Sequence, residues 1–228
     1  MNLYFLVEGE QTEMLVYRHW IEHLLGFQRV QTPQEAVDKH YYLVCGFGQP
    51  RILDEALPDA IATINDNPRT FNHLVLCLDS EETSVETCLQ EVEDAVNGQQ
   101  LLLEASCKLT TIVQHRCIET WFLGNKAVYP RQPNTPDFIE FAQHYSVYKN
   151  DPENMGKYRF RNHAHFHKKY LQAMLAEKNL SYQKNRPQVV CQPSYIEQLK
   201  KRVREPQEHL SSLKTFFDFC AEIQISIT

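Results

Sequence analysis

Two rhythms of apolar residues alternate along the first half of the chain. Short unbroken runs recur at residues 3–8 (LYFLVE), 41–46 (YYLVCG), 73–78 (HLVLCL) and 108–114 (KLTTIVQ). Each is too short for a helix and reads as a buried strand. Between them the apolar positions fall at helical spacing. After Thr12 come Leu15, Val16, Trp20, Leu24 and Leu25, with Gly26 as the stop. Ile52, Leu53, Ala56, Ala60, Ile61 and Ile64 share one side of a second helix over residues 50–67, where Pro58 predicts a kink or two shorter helices. A third helix spans 85–96 and closes at Asn97-Gly98, and a further one begins at Glu119. Alternating strands and helices predict an α/β fold with a mostly parallel sheet flanked by helices.

Beyond residue 129 the pattern changes. YPRQPNTP is rich in proline and predicts irregular chain. Helical patterns follow near 139–145, within 158–180, which opens basic and aromatic, and over 195–223 with a break at Pro206. The expected organisation is an α/β domain over 1–130 and a mainly helical extension over 131–228.

Charge sharpens this division. Residues 151–205 hold twelve Lys/Arg against five acids, a balance of +7, whereas the rest carries 11 against 24, or −13. A basic appendage on an acidic body suits a phosphate backbone as partner, or neutralises the body itself. The seven cysteines include no CxxC pair, which argues against a disulfide framework and against a cysteine zinc site. No apolar stretch reaches the ~18 residues that span a bilayer, and the start lacks a basic leader region. The expectation is a cytoplasmic protein with no membrane contact.

The acids fall where the fold would use them. In parallel sheets working residues gather beyond the carboxyl ends of the strands. Glu8 follows the first run; Asp79, Glu81 and Glu82 follow the third; Glu119 follows the fourth. Crowded carboxylates are costly unless a cation sits among them. Mg²⁺ and Mn²⁺ prefer such oxygen donors, and two such ions about 4 Å apart clamp a phosphodiester during hydrolysis.

Val7-Glu8-Gly9-Glu10-Gln11-Thr12-Glu13, directly after a first strand, resembles the glutamate motif of the Toprim domain, closest to the form in the overcoming-lysogenisation (OLD) family nucleases and their small relatives. LCLDSEE resembles the second Toprim motif, although Glu81 stands where those nucleases have Asp. CIETWFLGN, with Glu119 and Trp121, is similar to a segment of small bacterial Toprim-like proteins, as is the C-terminal stretch from Arg186. The resemblance implies a Toprim-like, Rossmann-like domain and hydrolysis of DNA or RNA, tRNA included, with one or two Mg²⁺ or Mn²⁺ ions. Glu8 would bind metal or move a proton at the scissile phosphate. Asp79 and Glu81 would hold the first ion; Glu13 and Glu119 would serve the second. Glu10 and Glu82 read as spectators.

Related nucleases also use a lysine at the phosphate. Lys168 is the candidate, within a basic and aromatic stretch where Lys157, Arg159, Arg161, Lys168 and Lys169 suit nucleic-acid contact. His163, His165 and His167 would share one face of a strand and suit zinc, but the surrounding pattern is helical, which spreads them. The chain has no GxxxxGK[ST] stretch. The resemblance therefore implies a separate ABC-type ATPase partner in bacterial anti-phage defence, and it leaves a homo-oligomer open. The alternative is a non-catalytic Toprim-like scaffold or regulator that binds metal or nucleotide.

Overall fold

The computed structural model describes residues 1–227. It is an α/β fold of the Rossmann-like kind, and its sheet is parallel throughout rather than mostly so. The strands are β1 (Leu3–Val7), β2 (Gln28–Val30), β3 (His40–Cys45), β4 (His73–Asp79) and β5 (Lys108–Gln114), in the order β2-β3-β1-β4-β5. The helices are α1 (Thr12–Leu25), α2 (Leu57–Asp66), α3 (Val85–Gly98), α4 (Ile118–Phe122), α5 (Pro136–His144), α6 (His163–Ala176), α7 (Gln188–Cys191), α8 (Pro193–Arg202) and α9 (Ser211–Ser226).

β1 lies at the centre, and all five of its residues are buried. A strand covered on both faces needs an unbroken apolar run, as this one has. Its register pairs Leu3 with Tyr41 and Val7 with Cys45 on one side, and Leu3 with His73 and Val7 with Cys77 on the other. After β1 the chain adds β2 and β3 on one side and then β4 on the other. The sheet thus changes its direction of growth at β1, and in open parallel sheets ligands settle beyond the strand ends at such a switch.

The chain forms two compact units. The sheet unit comprises Met1–Leu78, Val85–Val113 and the chain from Phe219; the helical unit comprises Asp79–Ser84 and Gln114–Asp218. The expected cut at residue 130 therefore differs from the observed grouping. The turn after β4 and the chain from the end of β5 to Asp218 belong to the helical unit, so its first residues come from within the α/β pattern.

In the sheet unit, Tyr4 and Leu6 pack with Ile52, Leu57, Ile61, Phe71, Leu74 and Leu76. Phe5 points to the opposite face, where the Tyr17, Tyr41 and Phe219 rings lie 6.2–6.5 Å away. In the helical unit, Phe138, Phe141, Phe166 and Tyr170 form an edge-to-face cluster. Arg202 is 1% exposed there. Its guanidinium donates to the carbonyls of Val147, Tyr148 and Asn150 and to Glu205, which makes burial of the charge tolerable.

Several local expectations meet a physical reason. Gly26 ends α1 in the left-handed conformation (φ +69°), its N–H donating to the Glu22 carbonyl. Pro58 does not kink a long helix. A π-helical turn at Ile52–Ala56 runs directly into α2, and Pro58 sits at the junction of the two. β2 has only three residues and no apolar run, so no periodicity announces it.

Candidate functional site

In the sheet unit the acidic stretch is fixed from both sides. β1 ends at Val7, and the loop after β3 closes over that end: Gly46 N–H donates to the Val7 carbonyl (2.8 Å) and Gly48 N–H to the Glu8 carbonyl (3.1 Å). The Cys45 thiol also reaches the Glu8 carbonyl, at 3.4 Å. Glu13 lies in the first turn of α1, where the helix dipole favours an anion, and it is buried. Its carboxylate rests against Gly9, so close that a Cβ there would lie 2.0 Å from Oε2. Only glycine permits this fold-back. Burial raises the Cys45 thiol pKa, and the carboxylates of Glu10, Glu13 and Glu8 raise it further. All three acids of this stretch thus act on one cysteine.

The helical unit gathers a second set. Asp79 ends β4, and the following turn is stitched to the segment after β5. Ser80 N–H donates to the Gln114 carbonyl, Glu81 N–H to the Arg116 carbonyl, and Arg116 N–H to the Ser80 hydroxyl. The Arg116 guanidinium in turn holds the carbonyls of Glu81 and Thr83. Glu81 takes a left-handed backbone (φ +46°) and is exposed. Glu119, on α4, is 0% exposed. Its Oε1 accepts from the Tyr182 hydroxyl at 3.0 Å and lies 3.9 Å from Lys184 Nζ. Its Oε2 is buried with no hydrogen-bond partner. Burial drives the Cys117 thiol pKa well up, and Glu119 and then Asp79 push it further, so both carboxylates act on this thiol.

The other expected residues take different places. Glu82 holds the start of α6: it accepts from the His163 N–H (2.8 Å), contacts His163 Nδ1 (2.9 Å) and pairs with Lys157 (3.6 Å). Burial opposes its charge, yet His163 and Lys157 together keep its carboxyl below the usual range. Arg159 forks onto Glu140 and stacks over Tyr158. Arg161 and Lys169 are exposed, and Lys168 is half-buried. The three histidines lie at the start of α6. His167 is buried, with Nε2 against the Met155 carbonyl and Nδ1 against Thr120 Oγ1. Burial pushes its pKa down to about 3, aided by His163 and Arg116.

Sequence reasoning passed over Tyr182 and Lys184. They lie 63 and 65 residues beyond Glu119 in irregular chain, and no local signal ties them to it. Trp121 has a clear structural role: its indole N–H donates to Ser212 Oγ (2.7 Å), and its ring stacks on Phe216.

A hard divalent cation suits these donors in kind. They are carboxylates, and Glu119 holds one buried oxygen that nothing claims. Among the described residues, no group of three or more His, Cys, Asp or Glu is arranged to hold a metal ion. Mg²⁺ commonly binds through one or two carboxylates completed by water and substrate phosphate, so the donor set fits that ion. No helix among the described residues is long and apolar enough to cross a membrane. No family model, curated protein or solved structure matches the chain.

Proposed function

We propose that the chain is a divalent-metal-dependent nuclease of the Toprim class that hydrolyses phosphodiester bonds in DNA or RNA. The observation that carries this reading is Glu119: fully buried, with one oxygen unclaimed, in a neighbourhood shared with Asp79. A buried carboxylate oxygen without a partner is costly, and a bound cation or an ordered water would each satisfy it.

In this mechanism Asp79 and Glu119, both of the helical unit, would hold Mg²⁺ or Mn²⁺. The bound ion would supply charge stabilisation at the phosphate and lower the pKa of a coordinated water. The Toprim resemblance gives Glu8 a role in proton transfer or metal binding. Gly9 permits the Glu13 fold-back that keeps this carboxylate beside the Glu8 peptide. Tyr182 orients Glu119 through Oε1, leaving Oε2 for the ion. Lys184 joins Lys168 as a candidate for stabilising the phosphate's developing charge. Glu81, exposed and on a strained turn, has the weakest claim as a ligand. Lys157 and Arg159 reach substrate only by leaving Glu82 and Glu140. A cytoplasmic anti-phage effector triggered by a separate ABC-type ATPase is the setting this reading suggests.

One observation favours a second reading. Lys184 stands 3.9 Å from Glu119 and could balance its charge in place of a metal, as in a non-catalytic scaffold or regulatory module.

The test is cleavage of supercoiled plasmid and of total tRNA, with Mg²⁺ and with Mn²⁺, by the native chain and by Glu8→Ala and Asp79→Ala variants. Metal-dependent cutting lost in both variants supports the nuclease and identifies its substrate class. No cutting together with no Mn²⁺ binding by calorimetry leaves the scaffold.

A further inference from the structure

The loop after β3 carries an aromatic residue in an unfavourable place. Phe47 is 55% exposed and has a left-handed backbone (φ +61°) between Gly46 and Gly48 (φ +83°). Each choice is costly for a phenylalanine: the ring forgoes burial, and the backbone conformation costs about 1 kcal/mol. Folding alone gives no reason to keep both.

The ring is also held in place. Phe47 N–H contacts Cys45 Sγ at 3.2 Å, and the flanking glycines donate to the Val7 and Glu8 carbonyls. The loop is therefore tied to the backbone that carries Glu8. The Arg51 guanidinium lies 5.0 Å from the Phe47 ring centroid, steadied by Glu55 at 2.8 Å. Phe47 and Arg51 both line a groove of about 190 Å³, whose wall also includes Leu6, Cys45, Glu55 and Asp59. Cys45, in its wall, is the thiol on which Glu8, Glu10 and Glu13 act.

A displayed ring with a guanidinium over it and a small groove of mixed polar and apolar lining beside it suits a flat π-system with polar edges. We propose that Phe47 and Arg51 form a stacking subsite for one nucleobase. This inference rests on the nucleic-acid reading above and adds that the strand is gripped as single-stranded chain, with an unpaired base on Phe47. Stacking tolerates any base, so the subsite favours unpaired nucleic acid rather than a sequence.

Two variants test this without turnover, in Ca²⁺ and no other divalent ion. Phe47→Trp places a reporter at the site, while Trp20 and Trp121 are buried and give a steady background. Addition of a single-stranded RNA or DNA 12-mer is expected to quench the new tryptophan, and a mononucleotide serves as the second arm. Quenching by the 12-mer at far lower concentration than by the mononucleotide supports a strand. Equal quenching supports a base subsite whose occupant is a free nucleotide. Phe47→Gly relieves the backbone strain, so its melting temperature is expected to hold or rise while 12-mer affinity falls about tenfold or more. Absence of quenching by both probes, with Phe47→Gly binding the 12-mer as tightly as the native chain, overturns the proposal. A chain that cleaves without quenching overturns the subsite alone; one that quenches but neither cleaves nor binds Mn²⁺ overturns the nuclease reading alone.

Discussion

Two buried glutamates of the helical unit, Glu153 and Glu119, are held in opposite ways. Glu153, 5% exposed, is consumed by the start of α9. It accepts from the Ser211 hydroxyl, the Ser212 hydroxyl and the Ser212 N–H, using both oxygens. Ser212 Oγ accepts in turn from Trp121 Nε1 and from His115 N–H. Glu119 is more deeply buried but is held on one oxygen only. The difference teaches that burial does not separate structural acids from working ones, whereas the claims on each oxygen do. An acid with both oxygens occupied builds the fold; one with a buried oxygen left over is available to a ligand.

That contrast can be broken at Glu153 first. Glu153→Ala should cost about 3 kcal/mol, because it strips several hydrogen bonds from one buried cluster. Chemical unfolding would show the loss, and a cost under about 1 kcal/mol would mean that the cluster is ornamental. Glu119→Gln, by comparison, should leave stability within about 1 kcal/mol of native.

His167 offers a second, pH-dependent probe of the same unit. Its folded pKa is pushed down to about 3 from an ordinary 6.5. Below pH 6.5 the unfolded chain takes up a proton that the folded chain refuses. Stability is therefore complete above pH 6.5 and falls by about 1.4 kcal/mol per pH unit toward pH 3. At pH 5 this amounts to about 2 kcal/mol. Unfolding midpoints at pH 7, 6 and 5 for the native chain and for His167→Gln should diverge in slope by this amount; parallel slopes would contradict it.

Gly9→Ala is the smallest perturbation and extends the comparison to the sheet unit. The added Cβ would lie 2.0 Å from Glu13 Oε2, so the carboxylate must swing away. Because a side-chain end yields more easily than backbone, stability should change by no more than about 1 kcal/mol. Chemical unfolding checks this, and a loss above about 2 kcal/mol would mean that the Glu13 fold-back is structural.

Much of this was legible in the sequence, for definite reasons. The apolar runs LYFLV and LVLCL mark β1 and β4 because buried parallel strands need apolar residues on both faces. The acids at strand ends stand out because like charges seldom cluster without a purpose. β2 was hidden by its shortness, and Tyr182 and Lys184 by their distance along the chain from Glu119. Glu82 looked like a bystander, yet it secures the first N–H of α6. The +7 balance of residues 151–205 suggested a free basic face, but Lys157 and Arg159 are paired with Glu82 and Glu140. Net charge counts residues and cannot reveal which are already partnered.

The most direct test is Mn²⁺ titration by calorimetry of the native chain, Glu119→Gln and Glu153→Gln, all checked for folding by circular dichroism. The account predicts that Glu119→Gln loses at least tenfold in affinity while Glu153→Gln binds as the native chain does. Equal Mn²⁺ binding by native and Glu119→Gln proteins would contradict it, and would leave Lys184 as the cation that balances Glu119.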